Sequence, residues 1–199
     1  MRFTSITATC LCIVLTTIPA LAKDKKGEKS MDPQAMMDAY KKLATPGEPH
    51  KLLGTMVGSW TTKSKSWMEP SQPPIESNMA CEETMLLDGR FLQEVCTGEF
   101  VGQPFTGIGM TGYDNHTKKY VSTWMDSMGT GIMFMEGMAS ADGKTITQKG
   151  GYQDPIEGRI KLRAVTKLVD ANTKVFEMHG TGKNGKEIKM MEITYARKQ

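Results

Sequence analysis

The sequence predicts an all-β fold: about ten long antiparallel strands closed into an up-and-down barrel, with short helices before it. Turn signals carry the first half of this reading. They recur near Asp88-Gly89, Gly102-Gln103, Asn115, Gly129, Asp142-Gly143, Ile156, Ala171 and Asn184-Gly185, at steps of 14, 13, 14, 13, 14, 15 and 13 residues. Such a step leaves room for strands of about nine to eleven residues, longer than the usual five or six. Alternation carries the second half. Arg159-Ile160-Lys161-Leu162-Arg163-Ala164 sets a charged face against an apolar one with a period of 2. Long strands at even spacing, joined by short turns, are what an up-and-down barrel needs. A closed barrel has an inside that can hold a ligand.

The elements read in order as follows. Residues 1–22 form a secretory signal peptide: Arg2 supplies the positive start, Leu11 to Ile18 the apolar stretch, and Ala20-Leu21-Ala22 the cleavage site. Cys10 and Cys12 precede the end of the apolar stretch, so they make no lipoprotein cleavage box. Residues 23–30 are a charged flexible leader, 31–57 a helical lid, and 58–199 the barrel domain. In the lid, Asp32 caps a helix that begins at Pro33. Met36, Met37, Tyr40, Leu43 and Ala44 follow at helical spacing until Thr45-Pro46-Gly47 breaks it. A second short helix runs from Pro49 to about Met56. Strands are expected near 58–67, 78–87, 90–100, 104–112, 118–126, 131–138, 144–151, 159–168, 174–181 and 187–197.

Two cysteines remain after cleavage, on either side of the hairpin signal Asp88-Gly89. Cys81 and Cys96 have numbers that sum to 177, as do Asp88 and Gly89, so a two-residue hairpin sets the cysteines face to face. In an oxidising compartment this reads as a disulfide, worth about 3 kcal/mol. Counting outward from the turn places the pair at a hydrogen-bonded site, with Cα atoms about 5.5 Å apart. The expected localisation is periplasmic or secreted.

Composition excludes several classes. The formal charge of +3 lacks a basic stripe, so nucleic acid is not an expected partner. An outer-membrane barrel needs a continuous lipid-facing apolar band. Lys144 to Lys149 holds one apolar residue, Ile146, so the chain is not read as an integral membrane protein. Gly107-Ile108-Gly109-Met110-Thr111-Gly112 fits the dinucleotide-binding spacing but precedes a turn between antiparallel strands, not a helix. No cofactor is called.

Methionine is the compositional outlier, with 17 in 199 residues. Met125, Met128, Met133, Met135 and Met138 gather around one hairpin, and Met178, Met190 and Met191 around another. These serve as core filling, as an adaptable lining for an irregular apolar ligand, or as soft ligands for Cu(I). No Cys or His stands at ligand spacing within the clusters, so no metal site is assigned. His50 belongs to the short helix, His116 to a turn, and His179 to a strand beside the methionines, within reach of a ligand such as a haem edge. Tyr120, Ser122 and Trp124 share one strand face that continues to Asp126, a pattern suited to a pocket wall. The ligand-pocket candidates are Tyr120, Ser122, Trp124, Asp126, Met133, Met135, Phe176, Met178 and Met191. One carboxylate pair depends on register. A two-residue turn at Asn184-Gly185 sets Glu177 opposite Glu192, raising one pKa, whereas a three-residue turn separates them.

A set of segments resembles a bacterial family, the domain of unknown function 1579. They are Lys51-Leu52-Leu53, Met56-Val57-Gly58-Ser59-Trp60, Trp67-Met68-Glu69-Pro70, Gly89-Arg90-Phe91-Leu92, Gly112-Tyr113-Asp114-Asn115, Tyr120-Val121-Ser122-Thr123-Trp124, Gly129-Thr130-Gly131, Val175-Phe176-Glu177-Met178 and Met191-Glu192-Ile193-Thr194-Tyr195, in order across about residues 48 to 197. That family resembles the calycin barrels, which include lipocalins and fatty-acid-binding proteins. The resemblance implies fold and carries no catalytic residues. It also implies that Trp60, in Gly58-Ser59-Trp60, plugs the closed end, with Arg197 stacked on it as scaffold.

The expected function is non-catalytic binding of a small apolar molecule in the barrel. The alternatives are an envelope enzyme using Glu177 and Glu192 or Asp126 in the cavity, and a structural or interaction protein with a filled barrel.

Overall fold

Each strand pairs with its neighbour in chain order, and the first pairs with the last to close an antiparallel ten-stranded barrel. The computed structural model describes residues 32–154, 158–181 and 185–199. The segments read as signal peptide and leader lie outside the described residues. The strands are β1 (Gly58–Ser66), β2 (Ile75–Leu86), β3 (Phe91–Phe100), β4 (Gln103–Asp114), β5 (Lys119–Asp126), β6 (Met133–Ala139), β7 (Thr145–Asp154), β8 (Gly158–Leu168), β9 (Thr173–Thr181) and β10 (Glu187–Arg197).

Alternation decides which face is inside. On β1, Trp60, Thr62, Ser64 and Ser66 are buried while Thr61, Lys63 and Lys65 are exposed. On β8, Arg159 and Lys161 face out while Leu162 and Ala164 are buried. On these strands charged side chains therefore face outward, unlike the apolar outer band of a barrel that faces lipid. No helix among the described residues is long and apolar enough to cross a membrane.

Two helices precede β1: α1 (Pro33–Ala44) and α2 (Glu48–Gly54). Asp32 caps α1 by accepting the Gln34 amide at 3.2 Å. The expected lid divides into unequal parts. α2 seals one end, where Leu53 and Met56 pack with Leu92, Tyr120 and Ile146. Burying each such side chain contributes about 1.5–3 kcal/mol. α1 buries no residue, and Met37 and Tyr40 are each 64% exposed. Its end is tied by Arg90 donating to the Ala44 carbonyl (3.0 Å) and Asn115 donating to those of Leu43 and Thr45 (2.8 Å each).

Cys81 and Cys96 are register partners and form a disulfide. Their Cα separation of 4.1 Å corrects the expected wider site. Leu87, Asp88 and Gly89 all have positive φ, and the Arg90 amide donates to the Leu86 carbonyl. This longer turn preserves the register while shifting the hydrogen-bonded positions by one, so the cysteines occupy a close, non-hydrogen-bonded pair.

The last hairpin combines both expected registers. Lys189 pairs with His179, but Met191 pairs with Met178, because a bulge at Met190 adds one residue to β10. Beyond that bulge Glu177 faces Glu192.

Candidate functional site

The barrel interior is layered, and the layers follow from strand parity. Against α2 lies the apolar cluster of Leu53, Met56, Leu92, Tyr120 and Ile146. Trp60, Cys81, Cys96 and Tyr195 form a second cluster farther along, with Met79, Trp124, Phe176 and Ile193 packed on it. Beyond these, interior side chains become partly exposed: Ile75 and Ser77 on β2, Asp126 on β5, Met133 on β6, Tyr152 on β7, Met178 on β9 and Met191 on β10. One end is therefore covered by α2, and away from it the inner face on β2, β5–β7, β9 and β10 is partly exposed.

All nine pocket candidates lie on the inward face of their strands. They do not all line accessible space. Tyr120, Ser122 and Met135 are buried. Tyr120 donates to the Pro49 carbonyl of α2 at 3.3 Å, and Ser122 donates to Gln148 at 3.1 Å. Trp124, Asp126, Met133, Phe176, Met178 and Met191 are partly exposed. Trp124 donates to Asp126 at 2.8 Å, and Asp126 also accepts the Met128 amide at 2.9 Å. The indole lies flat against β4 because Gly107 and Gly109 are there. A Cβ on Gly107 would sit 2.3 Å from the Trp124 ring.

The methionines separate by parity. Met125, Met128 and Met138 are exposed outside, while Met133, Met135, Met178 and Met191 point inward. Met190, in the bulge, joins the inner group: a Cβ on Gly180 would meet its sulfur at 2.3 Å.

A charged belt lies between the two clusters. Glu83 and Glu94 are partners across β2 and β3, both facing inward. Glu83 is 3% exposed and its Oε1 accepts a hydrogen bond from Lys174 of β9, itself 5% exposed. The Lys174 ammonium lies 4.2 Å from the Tyr195 ring centroid and 4.9 Å from that of Trp60. Arg197 stacks on Trp60 at 4.2 Å and anchors to the carbonyls of Thr55, Val57 and Ala171. Burial pushes the Glu83 carboxyl up to about 7, with Lys174 pulling it down and Glu94 pushing it up. Burial also pushes the Tyr195 hydroxyl well above the ordinary phenol value, helped by Glu94 and Glu83. Two carboxylates thus face one ammonium. Glu83 Oε2, Glu94 Oε1 and Ser66 Oγ are buried with no hydrogen-bond partner among the described residues. Glu83 and Glu94 share the belt, whereas Ser66 lies at the other end of β1, paired with Ile75 and Met191.

This belt was missed in the sequence, although part of its signal was there. The register that sums to 177 and pairs Cys81 with Cys96 also pairs Glu83 with Glu94, two residues farther along the same face. Lys174 had no local signal, because it reaches the belt from β9, on the far side of β1 and β10.

Other candidates fall outside the lumen. Glu177 and Glu192 face each other on the outer surface, where Lys189 donates to both, at 3.1 and 2.6 Å. The expected raised pKa is corrected for Glu177. Burial raises it, but hydrogen bonds from Lys189 and His179 and the charges of Lys189 and Lys167 leave it lowered. His179 also points outward, 3.4 Å from Glu177 and 3.6 Å from Glu187, so it does not reach a ligand in the lumen. His50 accepts the Gly47 amide at 3.0 Å within α2. His116 lies in an exposed turn. Cys81, Glu94 and Cys96 bring possible ligand atoms within 4.8 Å of one another, but both sulfurs are held in the disulfide.

Two clefts open elsewhere. One of about 290 Å³ separates α2 from the β8–β9 turn and reaches Trp60 and Lys174. A groove of about 530 Å³ runs between the end of α1 and β3–β5, lined by Leu43, Phe91, Met110 and Val121. Neither is the mouth of the barrel.

The sequence profile described as protein of unknown function, DUF1579, matches residues 45–197. The chain belongs to the DUF1579 family. Among curated proteins, none matches this DUF1579 chain. Its barrel is similar to the crystal structure of Rv2717c from M. tuberculosis, with a TM-score of 0.56 and 12% identity, over 78% of this chain and 100% of the other. It is also similar to the S-type phycobiliprotein lyase CPES from Guillardia theta, with a TM-score of 0.54 and 12% identity, over 75% of this chain and 92% of the other. These likenesses establish a calycin-like barrel for the DUF1579 chain and extend to the fold alone.

Proposed function

We propose that this protein is a non-catalytic carrier that holds a small apolar molecule inside its barrel, in an oxidising compartment outside the cytoplasm. The observation that carries this reading is the partly exposed inner face on β5, β6, β9 and β10, away from the end that α2 covers. Trp124, Met133, Phe176, Met178 and Met191 supply the lining. Thioethers adapt to irregular apolar shapes, and the flat indole offers a rigid wall. The disulfide, together with the apolar stretch Leu11–Ile18 before Ala20-Leu21-Ala22, supports export.

The enzymatic alternative has less support. Glu177 and Glu192 sit outside the barrel, neutralised by Lys189. Asp126 is engaged by Trp124 and the Met128 amide.

Native mass spectrometry of protein isolated from its own host tests the reading. The expected result is a small molecule released on unfolding, with an apolar fluorescent probe entering the emptied protein at one per chain and quenching tryptophan emission. Absence of both a bound mass and probe uptake would sink the carrier reading in favour of a filled barrel.

A further inference from the structure

We propose that the lumen is built for an apolar molecule that carries a basic nitrogen, and that Glu94 is the residue that receives it. This rests on the carrier reading and names the chemistry of its ligand.

The inner surface is two-sided. β5, β6, β9 and β10 present Trp124, Met133, Phe176, Met178 and Ile193. β2 and β3 present Glu83 and Glu94, register partners that each have a buried oxygen lacking a hydrogen-bond partner among the described residues. A buried acceptor left unpaired is costly, and more so when charged. Two such oxygens side by side mark a surface that awaits a donor.

Charge selects the kind of donor. The groups facing the belt are Glu83 from β2, Glu94 from β3, Lys174 from β9, and Tyr195 and Arg197 from β10. Lys174 is committed to Glu83 and held against the Trp60 and Tyr195 rings. Arg197 lies over Trp60 and spends its donors on backbone carbonyls. Among the described residues Glu94 therefore has no cation of its own; the neutral Tyr195 hydroxyl is the donor beside it. It faces inward and is partly exposed, and its Oε2 and the Trp124 ring approach each other over Gly109. An ammonium beside Glu94 would donate a charge-assisted hydrogen bond to its carboxylate, near the indole, while its apolar chain lies along the methionine wall. A carboxylate ligand would meet the Glu94 carboxylate without a cation to receive it.

Three probes of one chain length, dodecylamine, dodecanol and dodecanoate, test this by calorimetry below their micellar concentrations. The amine is expected to bind about tenfold or more tighter than the alcohol, the worth of one charge-assisted bond, and dodecanoate weakest. Glu94→Gln should erase the amine's advantage while leaving the alcohol's affinity in place. Glu94→Asp should keep the advantage, which also controls for folding. Equal affinity of amine and alcohol, or an advantage that survives Glu94→Gln, would overturn the assignment to Glu94 and leave the carrier reading standing. Failure of all three probes to bind would overturn both.

Discussion

Arg197 and Trp60 are direct register partners across the seam that closes the barrel, and the guanidinium lies 4.2 Å from the indole centroid. The room for that stack is made two residues earlier. Gly58 has φ +138°, and a Cβ there would sit 2.4 Å from Arg197 Nη1. Gly58→Ala is expected to destabilise the fold by about 1–3 kcal/mol from backbone strain alone, and by more from displacement of Arg197. Urea unfolding followed by tryptophan emission reads the loss. An unchanged midpoint would show that the seam yields without the glycine.

The disulfide closes a separation of 15 residues within one hairpin. Its removal in a Cys81→Ala, Cys96→Ala double variant should cost about 3 kcal/mol, seen as a Tm lowered by several degrees. Reductant should lower the Tm of the native protein and leave that of the variant unmoved. A Tm insensitive to both would mean the hairpin is fixed by the surrounding barrel alone.

Val101 is 64% exposed and holds φ at 51°, a left-handed conformation that a β-branched side chain resists. Val101→Asn should stabilise the protein by about 1 kcal/mol, because asparagine tolerates this region. Equilibrium denaturation is the measurement, and a lower midpoint in the variant would contradict the account.

Glu83 gives stability an unusual pH slope. Its folded carboxyl titrates near 7 while its ordinary value is 4.5. Between those values the folded state holds the extra proton, so this group makes stability fall as pH rises through the window. Glu177 and Glu187 act oppositely: both are lowered, so their contribution is present above the ordinary carboxylate value and lost in acid. Tm should therefore peak at about pH 5 and decline toward about pH 8. Glu83→Gln should flatten the decline, although it leaves Lys174 without its charge partner and lowers Tm throughout. A wild-type Tm that rises from pH 5 to 8 would refute this assignment.

Local patterns told most of the architecture. Period-2 alternation in Arg159 to Ala164 put the charged residues outside, and the turn rhythm located the nine strands from β2 to β10. Arithmetic around Asp88-Gly89 brought Cys81 to Cys96, even though the turn contains more left-handed residues than the two-residue form needs. Strand parity set Tyr120, Ser122, Trp124 and Asp126 on one face, and the closed barrel turned that face inward. What parity did not give was depth. Tyr120, Ser122 and Met135 share that face with Trp124 and Met133, yet they lie against the sealed end, because α2 packs there and not at the mouth.

By itself the sequence determined the strands, their order, the disulfide and which residues turn inward, since these follow from the two-residue period and from turns that join neighbours. Tertiary structure alone decided which end α2 covers, that Glu177 and Glu192 meet outside under Lys189, and that Lys174 crosses to Glu83. Closure of β1 onto β10 is the physical reason. It sets side chains from distant strands against one another across a shared interior, and no local period records that distance.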